Sequence, residues 1–217
     1  MSKQLAIENK IWIQKPTNRE LVHLIIKEFM IHYTTANLLV SRNITKFDDI
    51  QNFLYSQLSQ LHKPELFSDM NVAIERIMTA ITRNERILIY GDNDVDGITG
   101  SVLLYEHLIK LGADAEIHIS APFSSRENIL IDMKEHSLEN NCHLIITVDC
   151  GITAADQIEA LSKHNIDVII TDHHEPTIKI PHCLATLNPK LISSQYPFKG
   201  LTGVGVAFKL AHGLTNY

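Results

Sequence analysis

A chain of 217 residues that is 45% hydrophobic and 20% charged has the composition of a folded protein with a core of its own, which excludes peptide, collagen-like and disordered readings. No stretch approaches the roughly 18 apolar residues of a membrane span, and Met1-Ser-Lys-Gln lacks a signal-peptide start, so a cytoplasmic chain with no membrane partner is expected. The net charge of −6 is uneven: residues 1–85 carry 10 basic and 9 acidic side chains, net +1, while residues 86–217 carry 9 and 16, net −7.

Apolar positions three and four apart predict helices over 18–30, 33–41, 46–61 and 70–83, with Ile11-Trp-Ile as a short strand. Asp69 is placed as the N-cap of the fourth helix, and Pro64 separates it from the third. From Arg86 the rhythm changes. Short apolar runs at 87–90, 116–119, 144–148 and 168–171 alternate with helical segments at 98–111, 128–139 and 154–164, which is βαβ punctuation. Strands apolar throughout imply a mainly parallel sheet with helices on both faces. The expected organisation is therefore a helical N-terminal lead-in, residues 1–85, and an α/β domain, residues 86–217. Thr153-Ala-Ala-Asp156 reads as a capping box, and Tyr196-Pro-Phe-Lys-Gly-Leu-Thr-Gly-Val-Gly-Val-Ala-Phe-Lys-Leu210 reads as a glycine-rich turn opening a helix barely begun when the sequence stops.

Cys142, Cys150 and Cys183 are odd in number and form no CxxC pair, which points to reduced thiols rather than disulfides or cysteine-ligated zinc. The acid is more informative. Gly91-Asp-Asn-Asp-Val-Asp-Gly97 lies between a strand and a helix, so Asp92, Asp94 and Asp96 crowd the carboxyl edge of the sheet, where open α/β proteins bind ligands. Crowded carboxylates repel one another unless hard divalent cations such as Mg²⁺ or Mn²⁺ share them. A calcium loop fails here, because its twelfth position is Leu103 rather than glutamate. Val148-Asp-Cys-Gly151 brings Asp149 to the same edge, and Thr171-Asp-His-His-Glu-Pro176 adds Asp172, His173 and His174. Three successive strands delivering acid or imidazole to one edge exceed what turn chemistry asks for. On an extended backbone His173 and His174 point opposite ways, so one of them at most is expected to face a given metal. The remaining histidines are read as surface or core residues.

These residues carry a resemblance. Asp92-x-Asp-x-Asp-Gly, Val148-Asp-Cys-Gly and Thr171-Asp-His-His resemble the first three motifs of the DHH phosphoesterase superfamily. Ile145-Ile-Thr-Val-Asp-Cys-Gly-Ile152, Asn188-Pro-Lys190 and Tyr196–Leu210 are similar, in order, to stretches of its RecJ-type single-strand-specific exonucleases. Leu39-Val-Ser-Arg-Asn-Ile44 and Phe67-Ser-Asp-Met70 resemble that family's helical lead-in.

The resemblance implies a repair and recombination enzyme that hydrolyses single-stranded DNA from its 5′ end with two Mn²⁺ or Mg²⁺ ions, with single-strand-binding or other repair proteins as partners. It implies Asp92, Asp94 and Asp96 as metal-site residues, Asp149 as bridging carboxylate, His173 as imidazole ligand, and Asp172 and His174 completing the site behind the ligands or touching phosphate. The amides at Gly203 and Gly205, Lys199, and Arg126 are phosphate-contact candidates. A dinucleotide-binding reading of Gly203-Val-Gly205 fails because residue 208 is phenylalanine. A fourth-motif aspartate, a second substrate-binding domain and an oligonucleotide-binding fold belong to the family pattern and lie beyond this sequence. The chain alone is accordingly expected to bind one Mn²⁺ better than two and to cut DNA poorly. Two rivals are a DHH hydrolase of short oligonucleotides or cyclic dinucleotides, and a non-catalytic nucleic-acid-binding or assembly module that keeps the fold.

Overall fold

The computed structural model describes residues 4–7, 10–13, 16–120 and 126–217, with residues 4–7, 10–13 and 126–131 described by backbone alone. The chain divides into two compact units, Met1–Leu61 and His62–Tyr217.

In the first unit the expected strand is β2 (Lys10–Ile13), paired antiparallel with β1 (Gln4–Ile7), which periodicity did not pick out. Helices α1 (Arg19–Phe29), α2 (Tyr33–Ser41) and α3 (Phe47–Leu54) follow. Asn18 caps α1 by accepting the Leu21 amide. The apolar stripes of these helices meet in a small core of Val22, Ile25, Ala36, Leu39, Val40 and Ile50. The third helix stops at Leu54, short of the expected residue 61. Residues 55–61 are largely exposed, so no buried stripe sustains a helix there, and Gln57 and Gln60 close a separate 3₁₀ turn over Leu58–Gln60.

The second unit contains α4 (Met70–Arg83), β3 (Ile87–Gly91), α5 (Val95–Lys110), β4 (Ala115–Ile119), α6 (Arg126–Glu139), β5 (Leu144–Val148), α7 (Ala155–Ser162), β6 (Asp167–Thr171), β7 (Ala185–Leu187) and α8 (Gly203–Asn216). Its five strands form one sheet in the order β4-β3-β5-β6-β7, and every pairing is parallel. Strands β3 and β5 are buried at every position. Alternate side chains feed two cores. Ile87, Ile89, Ile146 and Ile169 pack with Ile77 of α4, Leu104 of α5 and Leu210 of α8, whereas Leu88, Tyr90, Ile145 and Ile170 pack with Met133 of α6 and Ile158 and Leu161 of α7. The expected parallel sheet with helices on both faces is what these residues build. Residue 85 lies between α4 and β3, inside this unit.

Three local expectations change, and one strand was not anticipated. Helix α8 runs 14 residues to Asn216 rather than having barely begun. Asp69 sits at the N-cap of α4 but makes no cap bond; Oδ2 accepts the Thr186 amide of β7 instead, satisfying an otherwise open edge-strand donor. Helix α7 begins at Ala155 after Ala154, without the expected side-chain cap. Strand β7 is only three residues long, too short for a periodic signal. The strand order reverses direction between β3 and β5: the chain crosses from β3 to β4 on one side, then to β5 on the other. Such a switch point opens a crevice at the carboxyl ends of the two strands.

Candidate metal centre

Each of three neighbouring strands extends its ladder one residue past its end, and that residue is an aspartate. The Asp92 amide donates to Val148, the Asp149 amide to Thr171, and the Asp172 amide to Leu187, at 3.1, 2.9 and 3.1 Å. Sheet register thus delivers three carboxylates to one edge, at the switch point.

The loop after β3 turns at once into α5. Asp94 is the N-cap, its Oδ1 accepting the amides of Asp96 and Gly97 at 2.9 Å each. Asp92 Oδ1 accepts the Ser120 hydroxyl at 3.2 Å. Asp96 reaches across to α8, where Oδ2 accepts the Gly203 amide at 2.6 Å and Oδ1 the Val204 amide at 3.0 Å. A carboxylate has about four lone-pair sites, so two amides leave room for a further partner.

Asp149 is the centre of the cluster. It is buried, at 2% exposure, and its backbone sits in the left-handed region at φ 63, which is uncommon outside glycine. Its Oδ1 makes no hydrogen bond: His173 Nε2 lies 3.1 Å away without hydrogen-bond alignment. Burial first, then the charges of Asp94 and Asp96, push its carboxyl up to about 8. The start of α8 packs on it so closely that a Cβ at Gly203 would fall 2.3 Å from Asp149 Oδ1. Only glycine fits there.

Asp172, also buried, works differently. Its Oδ2 accepts the Ile152 amide at 2.9 Å, and its Oδ1 accepts the His173 and His174 amides at 2.7 and 3.0 Å and His174 Nδ1 at 2.8 Å. Burial alone would raise its pKa, but the His174 side chain and the amides of His174 and Ile152 outweigh burial and lower it. The ionised carboxylate can only accept, so Nδ1 carries the proton and Nε2 is left as the free ring nitrogen. The same hydrogen bond raises the His174 pKa, against the pull of burial.

Two sets of donors could each hold a cation, with all ligand atoms within 4.8 Å: Asp92, Asp94 and Asp149, and Asp149, His173 and His174. Asp149 belongs to both. The expectation that adjacent histidines diverge does not hold, because the chain leaves β6 and bends at His174, bringing the two rings to 4.7 Å. Asp96 stands beside the second set, its Oδ2 3.9 Å from His173 Nε2. The carboxylate oxygens suit Mn²⁺ or Mg²⁺, and the buried Asp149 oxygen without a hydrogen bond is an acceptor that a cation would satisfy.

The phosphate candidates fare unevenly. The amides of Gly203 and Val204 already donate to Asp96, and that of Gly205 donates to Thr202 Oγ1 at 3.3 Å, so the start of α8 is satisfied within the chain. Lys199 Nζ donates to the Ser194 carbonyl at 3.0 Å. Arg126 opens α6, and its side chain lies outside the described residues, as do residues 121–125. Motif reading gave no role to Asn188 or Ser120, which hold the His174 carbonyl and Asp92; they touch the site through hydrogen bonds that only the fold creates.

The family model for the DHH family, N-terminal domain, matches residues 86–217. The single-stranded-DNA-specific exonuclease RecJ of Bacillus subtilis (strain 168) is 37% identical over 214 residues, covering 97% of this chain and 27% of that protein. RecJ of Haemophilus influenzae is 31% identical over 180 residues, 82% of this chain and 31% of that protein. The crystal structure of RecJ in complex with Mn²⁺ from Thermus thermophilus matches with a TM-score of 0.69 at 27% identity, over 92% of this chain and 27% of that one. The chain thus spans less than a third of the length of these relatives. With its family model covering the whole parallel sheet and every clustered acid and imidazole, the chain belongs to the DHH family.

Proposed function

We propose that this chain carries the metal-dependent phosphodiester-hydrolysing site of a single-strand-specific DNA exonuclease acting from the 5′ end. The observation that carries the reading is Asp149, buried with an unbonded oxygen and common to both donor sets. The similarity to single-stranded-DNA-specific exonucleases supports the substrate class.

Asp92, Asp94 and Asp149 would hold one divalent cation and Asp149 and His173 a second, with Asp96 beside them. Manganese or magnesium bound there would supply an activated water and neutralise charge on the scissile phosphate. The chain's own residues do the rest. Asp149 is fixed by its strand-end amide and by the α8 start against it, so its oxygens face both donor sets without rearrangement. Asp172 holds the His174 ring through Nδ1 and favours its protonated form, so that Nε2 can donate to a phosphate oxygen or to the departing oxygen.

The test is a Mn²⁺ titration of the 217-residue chain coupled to cleavage of 5′- and 3′-labelled single-stranded oligonucleotides. Asp149→Ala should abolish binding at both sites and lower hydrolysis by more than about 100-fold, beyond the usual loss from outer residues around a metal. Undiminished Mn²⁺ binding by that variant would overturn the site.

A further inference from the structure

We infer that Asn188 is a positioning residue that sets the orientation of His174; the inference rests on the proposed role of His174 in the site. Asn188 follows β7 and is fully buried, at 0% exposure. A buried amide side chain needs partners for both its donor and its acceptor. Nδ2 donates to the His174 carbonyl at 3.0 Å, and Oδ1 accepts the Lys190 amide at 2.8 Å.

The His174 residue is consequently gripped at every polar group except Nε2. Its amide and Nδ1 are held by Asp172, and its carbonyl by Asn188. The two grips come from adjacent strands, since the Asp172 amide donates to Leu187, the last residue of β7. Asn188 therefore stands one step beyond the sheet ladder, beside the residue pair it serves. Pro189 reinforces this by restricting Asn188 to extended backbone conformations. A second tie joins the same two loops, Lys190 Nζ to Glu175 Oε1 at 3.1 Å, but it is exposed and screened. The buried amide bond is the one that fixes the peptide after His174.

Only an amide meets both demands. Aspartate at 188 would keep the acceptor for Lys190 and set a carboxylate oxygen against the His174 carbonyl, whereas alanine would leave the His174 carbonyl and the Lys190 amide without their side-chain partner. The effect on function passes through the ring: a tilt of the His174 peptide moves Nε2 away from the reacting phosphate, and misplacement of about 1 Å can cost as much as 100-fold in rate.

The experiment compares the unmodified chain with Asn188→Ala, Asn188→Asp, His174→Ala and the Asn188→Ala/His174→Ala pair. The first readout needs no metal: nitrogen-15 NMR of histidine-labelled chain should show His174 locked with Nδ1 protonated, and in both Asn188 variants its ring resonances should shift toward those of a freely averaging imidazole. The second is hydrolysis of a single-stranded oligonucleotide, where kcat should fall about 10- to 100-fold with KM within about twofold, and Asn188→Ala should add nothing once His174 is alanine. An unchanged His174 ring signature in a folded variant would overturn the inference, as would a full additional loss in the His174→Ala background. If Asn188→Ala does not fold, the near-isosteric Asn188→Asp carries the same two readouts. Should the unmodified chain show the Asn188-dependent ring signature and yet cleave nothing, the positioning role stands and the hydrolytic reading falls.

Discussion

Two regions of the second unit hold carboxylates against imidazoles, and they behave in opposite ways. Between β4 and α6, His118 Nε2 meets Asp132 Oδ2 at 2.7 Å and His136 Nε2 meets Glu116 Oε1 at 3.1 Å, with the two rings 4.2 Å apart. Each imidazole there has its own acid. At the switch point the acids outnumber the imidazoles, one carboxylate is buried with an unbonded oxygen, and its pKa is pushed up to about 8. Among the described residues, the His118 cluster contains no group of ligand atoms close enough to share an ion, whereas the switch point contains two. The same residue types are present in both places. Balance and burial, not composition, distinguish a cluster with donor sets that could hold a cation from one whose acids and imidazoles are already paired.

Substitution of Gly203 carries the largest expected effect. A Cβ there would press on Asp149 Oδ1, Cβ and Cγ at 2.3 to 2.5 Å, and Asp149 is buried in a strained backbone conformation that cannot easily give way. Gly203→Ala should weaken Mn²⁺ binding by about 100-fold and lower the thermal midpoint, as read by calorimetric titration and by melting. Retained Mn²⁺ affinity would mean that α8 does not shape the centre.

A gentler probe is pH. The Asp149 carboxyl, ordinarily near 3.8, is held near 8 chiefly by burial and then by Asp94 and Asp96, so the folded chain keeps a proton that the unfolded chain has lost. This contribution to the stability of the metal-free chain is full below about 4 and is lost as pH rises through about 8. A cation must displace that proton. Mn²⁺ affinity should therefore rise about tenfold per pH unit up to about 8 and flatten above it. A pH-independent affinity would show that Asp149 binds as a carboxylate without competition.

The smallest effect belongs to the other cluster. His118→Gln removes one partly exposed pair and should cost about 1 kcal/mol or less in urea unfolding. Mn²⁺ affinity should stay within about twofold, because the pair lies outside both donor sets. A larger change in Mn²⁺ affinity would erase the distinction between the two regions.

Much of this centre was legible in the sequence because βαβ punctuation forces strand ends to one edge. Asp92, Asp149 and Asp172 each follow a continuous apolar run, and that pattern alone places them together. Asn188 was not legible in this way: it follows a strand of three residues, and its partner carbonyl is 14 residues away in sequence. The approach of His173 to His174 is hidden from the sequence for a related reason, since a period-two rule applies to extended chain and the backbone bends at His174.

What the sequence determined by itself is therefore the architecture and the identity of the clustered acids and imidazoles, because hydrophobic periodicity and strand-end chemistry are local properties. What the tertiary structure decided is how those groups are held. Asp96 was turned onto the amides of α8, Asp172 was made the anchor of His174, and Asp149 was left buried without a hydrogen bond for one oxygen. Those outcomes depend on distances between segments far apart along the chain, and no spacing of residues encodes them until parallel strands and packed helices fix where each segment ends.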